Sequence, residues 1–160
     1  MKKILSILTI LALCAGVFTA CDDDDDKAPQ VKISFTYGST VKVVDGDLYV
    51  VKGTPFTVDA INCTAVRPNT TAMVTGPVSY WLDAAPMGTT YVSPFGVSLD
   101  TDALAVGRHF ITVQMGIAEE GCALAMAVAE VDFNVVSEES QIPTPGGDDS
   151  STQPIDYTLK

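Results

Sequence analysis

Few side chains in this sequence could carry out chemistry, and their types and spacing decide which kind. His109 is the only histidine. As a general base it needs a nucleophile within reach, and no Ser or Cys stands near it in a recognisable motif. As a zinc ligand it needs further His or Cys partners that the chain does not supply. Asp83, Asp100 and Asp102 could serve as the carboxylate pair of a hydrolase. Each adjoins a turn signal, however, and turn chemistry accounts for them first. The run Asp22, Asp23, Asp24, Asp25 and Asp26 could attract a cation, but a calcium site needs ligands converging from a turned backbone, which a contiguous run lacks. The expectation is a non-enzyme with no catalytic residue, no metal and no cofactor. What remains is Cys21 behind small residues, two further thiols at Cys63 and Cys122, and one tryptophan, Trp81.

The segments that must position these residues begin with a leader. Lys2 and Lys3 precede an almost unbroken apolar run over residues 4–17, and Thr19 and Ala20 place small side chains before Cys21. This is the layout of a cleaved secretory signal over residues 1–20. The run is short for a bilayer span and meets five carboxylates where a stop-transfer helix would carry basic residues. Phe18-Thr19-Ala20-Cys21 resembles the lipobox of bacterial lipoproteins, with Phe18 where the commonest pattern has Leu. Cys21 followed by the acid run is similar to the export signal of surface lipoproteins in Bacteroidetes. The resemblance implies that Cys21 is lipidated and becomes the first residue, and that the protein is lipid-anchored in the outer membrane and exposed at the cell surface. Two or three acyl chains would hold it stably, where one would not. The Asp run cannot pack and repels itself, so residues 21–29 read as an acidic tether.

Cleavage before Cys21 removes two of the nine basic residues and none of the twenty acidic ones, taking the net charge from −11 to −13. No basic footprint for nucleic acid is present. Leader and tail aside, about a hundred residues remain, enough for one domain with its own core. Cys63 and Cys122 form an even pair, which in an oxidising compartment reads as a disulfide and otherwise as two small buried hydrophobes.

Residues 30–136 are short alternating runs of Val, Thr, Ile, Tyr and Phe broken by Gly, Pro, Asn and Asp, the texture of an all-β sandwich. Val31, Ile33 and Phe35 alternate with polar residues and should face inward. Residues 41–44 and 47–51 flank Asp45-Gly46, which predicts a hairpin with a tight primed turn. A strand over residues 56–65 stops at Arg67-Pro68-Asn69. Pro77-Val78-Ser79-Tyr80-Trp81-Leu82-Asp83, Met87-Gly88-Thr89, Pro94-Phe95 and the run from Leu104 through Gly107-Arg108-His109 to Val113 resemble part of bacterial immunoglobulin-like domains. This implies a single immunoglobulin-like sandwich in which His109 sits at a corner and bonds back to the preceding loop, as a Tyr often does there. Ile111 stands where the second cysteine of the central disulfide would be. The family often has Gly after the Asp of the first motif, where this chain has Ala84.

A two-residue turn at Glu120-Gly121 would set Glu119 opposite Cys122, Ile117 opposite Leu124, Met115 opposite Met126 and Val113 opposite Val128. Val131, Phe133 and Val135 then require a bulge near Ala129-Glu130 to restore inward parity. In that register Ala123, Ala125, Ala127 and Ala129 form an outward stripe beside Thr112 and Gln114. Inward parity of Val78, Tyr80 and Leu82 sends Trp81 outward with Ser79, unless a bulge turns it into the core. The resulting face suits a protein partner or a sugar platform. Cys63 and Cys122 fall at one pole of such a topology, within reach of a disulfide. Beyond residue 136 Ser, Glu, Asp, Pro and Gly predominate, so residues 137–160 read as a disordered tail. The function expected is a non-enzymatic surface lipoprotein whose module mediates binding or structural association, the alternative being glycan capture.

Overall fold

The computed structural model describes residues 27–144 and the backbone of residues 156–158. The expected leader, Cys21 and the acid run lie outside the described residues, as do residues 145–155 of the tail. The chain forms β1 (Val31–Tyr37), β2 (Lys42–Val44), β3 (Asp47–Val51), β4 (Phe56–Ala65), β5 (Ala72–Leu82), β6 (Ala85–Thr90), β7 (Val97–Leu99), β8 (Gly107–Glu119), β9 (Ala125–Val136) and β10 (Asp156–Thr158). Two sheets result, ordered β10-β1-β4-β7 and β2-β3-β9-β8-β5-β6. All pairings are antiparallel except β3 with β9, where the chain has crossed between sheets to run parallel to its last long strand. With β1, β4 and β7 in one layer and β5, β8 and β9 in the other, the connectivity is that of an immunoglobulin sandwich.

Alternation builds the core as the sequence suggests. Val31, Ile33 and Phe35 are buried while Lys32 and Thr36 are exposed. They meet Tyr80, Ile111, Val113, Met115 and Val131 from the other sheet, and Phe56 stacks on Phe133 at 4.3 Å between ring centres. The strand over residues 56–65 has the expected bounds, and Val44 pairs with Asp47 around Asp45-Gly46. Both turn residues there have positive φ, 51° and 89°, as a primed turn requires. Asp83-Ala84 makes the same kind of turn, at φ 47° and 68°, so this glycine-free pair turns at the cost of a left-handed alanine.

The β8–β9 register corrects the expectation by one residue. Ile117 pairs with Ala125, Met115 with Ala127 and Val113 with Ala129, and the ladder continues unshifted to Gly107 and Val135. No bulge interrupts it near Ala129-Glu130. The cause is the turn. Cys122 N–H bonds the Glu119 carbonyl at 3.0 Å, and Gly121, in its third position, has φ 71°, the place where a type II turn needs glycine. Unprimed turns splay the strands that leave them, so pairing resumes only at Ala125. One parity then serves all of β9, with Ala127, Ala129, Val131, Phe133 and Val135 buried.

The domain also extends past its expected limits. Lys27 O accepts a hydrogen bond from Ala123 N at 3.2 Å and Pro29 is buried, so residues 27–29 belong to the fold and not to the tether. The segment expected to be disordered from residue 137 forms a 3-10 turn over Glu139–Gln141. Farther on, Asp156, Tyr157 and Thr158 pair with Ser34, Ile33 and Lys32. Main-chain pairing at the edge of β1 explains a strand that composition hides. β5 likewise begins at Ala72, ahead of the expected motif.

Because Ala84 is exposed and left-handed, Ala84→Gly should raise unfolding stability by about 1 kcal/mol, read as a higher urea midpoint with an unchanged slope.

Candidate functional site

The outer face of the six-stranded sheet assembles from strand parity. Val78 and Tyr80 are buried, so Ser79 and Trp81 point outward on β5. Trp81 pairs with Pro86 of β6 and Thr112 of β8, and Thr112 pairs with Glu130 of β9. The next row is Thr89, Ser79, Gln114 and Val128, in which the Ser79 and Thr89 hydroxyls lie 3.1 Å apart. Toward one pole follow Thr75, Gly116 and Met126, then Met73 and Ala118. Trp81, Ser79, Thr112 and Gln114 are thus brought together as expected, all half-buried.

The alanines are not part of this face. Ala127 is 3% exposed and Ala129 7%, Ala125 shares their inward parity, and Ala123 lies in the loop before β9. The one-residue register change exchanges them for Leu124, Met126 and Val128, at 69%, 57% and 59% exposure, joined by Met73 at 59% on β5. Sequence reasoning missed these four. Carrying the parity of Val131, Phe133 and Val135 back along β9 without a bulge would have found them.

His109 is held for structure. Its Nδ1 lies 2.6 Å from Asp83 Oδ2 and its Nε2 lies 2.8 Å from the Ala105 carbonyl, with the ring against Phe133. Phe110 N donates to Asp83 Oδ1 at 3.1 Å. Burial alone would push the imidazole pKa down, but the hydrogen bonds to Asp83 and Ala105 and the charge of Asp83 outweigh it and raise it. Burial likewise opposes ionisation of Asp83, yet the bonds from His109 and Phe110 bring its pKa below the ordinary value. Two ring nitrogens facing two acceptors leave none for general base work. Asp100 accepts from Asp102 N at 2.9 Å, a turn of its own, and Asp83 is engaged by His109 and Phe110. Among the described residues no three His, Cys, Asp or Glu side chains converge as a metal site.

One polar cluster escaped the sequence entirely. Glu119 at the end of β8 has a fully buried side chain bonded to Arg67 Nε at 2.9 Å. It also accepts from Gln30 N at 2.6 Å, Thr70 Oγ1 at 3.2 Å and Cys122 Sγ at 3.7 Å, and Arg67 reaches Cys122 Sγ too. The Arg67 hydrogen bond, working against burial and helped by Gln30 N, lowers the Glu119 pKa from 4.5 to about 2. Cys63 is pushed up by burial and then by the Glu119 charge. Cys63 and Cys122 therefore share one pole and one carboxylate, as free thiols.

A carboxyl whose pKa falls on folding stabilises the protein above its unfolded value and stops doing so as pH drops through the folded one. The melting temperature should accordingly fall between about pH 4.5 and pH 2. Glu119→Gln should start lower at pH 7 and show a shallower fall. The His109 contribution has the opposite sense, present below pH 6.5 and lost as pH rises through its raised value. By NMR its imidazole should titrate above 6.5, and Asp83→Asn should bring the midpoint down. The chain matches no protein-family model and no curated protein.

Proposed function

We propose that the chain is a non-enzymatic cell-surface lipoprotein, anchored in the outer membrane through Cys21, whose immunoglobulin-like module binds a protein partner through the outer face of its six-stranded sheet. The observation that carries this reading is the exposed Val128 set in one row with Gln114 and Ser79, next to Trp81, in the middle of that face. Among the described residues no helix is long and apolar enough to cross a membrane, in keeping with attachment by lipid. The acidic balance disfavours nucleic acid.

A second reading, glycan recognition, has its own support in the middle of the face. Trp81 is flanked by Pro86, Thr112 and Ser79, with Gln114 and Thr89 one row away. An aromatic plane bordered by hydroxyls and an amide is what a sugar ring stacks on.

Three measurements separate these. Cys21→Ala should move the protein from the membrane to the soluble fraction and abolish labelling by a fatty acid. Sedimentation of the soluble domain with candidate surface proteins should show binding that Val128→Arg removes while the melting temperature holds. If Val128→Arg changes nothing and Trp81 emission shifts on titration with oligosaccharides, the glycan reading replaces the protein one.

A further inference from the structure

The exposed apolar side chains are not spread evenly. β1 starts, and β4 and β8 end, at the pole where the chain enters the domain, since Val31 pairs with Ala65 and Ala72 with Glu119. Val66, Met73, Leu124 and Met126 are all at or near that pole and all roughly half or more exposed. The entering chain is fastened among them. Lys27 O accepts from Ala123 N, the residue before Leu124, and Gln30 O accepts from Val66 N at 2.8 Å. The charges divide the same way. Lys27, Lys32 and Arg67 stand at this pole against Glu119 and Glu120, whereas the other half sets Asp83, Asp100, Asp102, Asp132, Glu138 and Glu139 against Lys42, Lys52 and Arg108, the last paired with Asp132.

Only five residues separate Lys27 from Cys21, a span of no more than about 20 Å even when fully extended. Resting on the reading that Cys21 carries the lipid, we infer that this pole seats on the bilayer. Val66, Met73, Leu124 and Met126 meet the boundary between headgroups and acyl chains, and the acidic half faces away. The apolar side chains match those of surface-lying segments, which enter the interface at the boundary of headgroups and acyl chains. Apolar contact supplies the attraction. The acid run disfavours anionic lipid, so phosphatidylcholine is the surface the pole should prefer. Seating sets the orientation of the module and leaves Trp81 and Gln114, farther along the sheet, clear of the membrane.

The test uses the full lipidated chain in a Trp81→Phe background with one tryptophan restored, either as Leu124→Trp at the seated pole or as Val106→Trp at the opposite end. Each is reconstituted in phosphatidylcholine vesicles brominated near the headgroup end of the acyl chains. The seat predicts loss of Leu124→Trp emission and retention of Val106→Trp emission, with the loss relieved by adding Met73→Asp and Met126→Asp. Protein that floats with the vesicles while neither tryptophan is quenched, or both are quenched alike, overturns the seat and leaves the lipid anchor standing. Protein that fails to float removes the anchor and the seat together. An unquenched Leu124→Trp that shifts blue as surface density rises overturns the seat in favour of contact with a second copy.

Discussion

A carboxylate buried between two sheets has to be answered by charge and by hydrogen bonds, or the fold loses more than the pair could return. Glu119 is that carboxylate. Its partners come from three stretches of chain, Gln30 at the entry to β1, Arg67 and Thr70 in the loop before β5, and Cys122 in the turn after β8. Because each bond has a length and direction, the cluster fixes where the chain enters and how these two loops lie. The adjoining backbone bonds, Glu120 N to Thr71 O, Ala123 N to Lys27 O and Val66 N to Gln30 O, extend the same clasp. Everything on the outer face near this pole takes its position from it.

The clasp also accounts for the unusual surface of β9. With Cys122 N–H turned back to Glu119 O, the strand cannot begin pairing at once, and the ladder starts with alanines facing inward. Small residues there leave space for Met115 and Val113 on the neighbouring strand, an alternation of large and small that fills a core without strain. The larger side chains of β9 are displaced to the outside. An exposed apolar end and a polar middle around Trp81 therefore arise from one turn geometry, and they give the sheet two chemically distinct regions on a single face.

At the other pole the organising group is His109. An imidazole between a carboxylate and a carbonyl four residues earlier ties the start of β8 to both the β5–β6 turn and the preceding loop. This is the work a corner tyrosine does in immunoglobulin sandwiches.

Local pattern was enough for much of the fold. Period-two alternation in Val31, Ile33 and Phe35, the Asp45-Gly46 turn and the outward parity of Ser79 and Trp81 are short-range properties, set by the pleat and by allowed φ, and the residues themselves determined them. The tertiary structure alone decided the rest. Whether Ala127 or Val128 faces the core depends on how the β8–β9 turn closes. Glu119 reads as a hairpin residue until Arg67, 52 positions away, is brought to it. The strand at Asp156–Thr158 exists only because β1 offers an edge. Register, buried ion pairs and edge pairing are contacts between distant segments, and a one-residue change in any of them exchanges inside for outside.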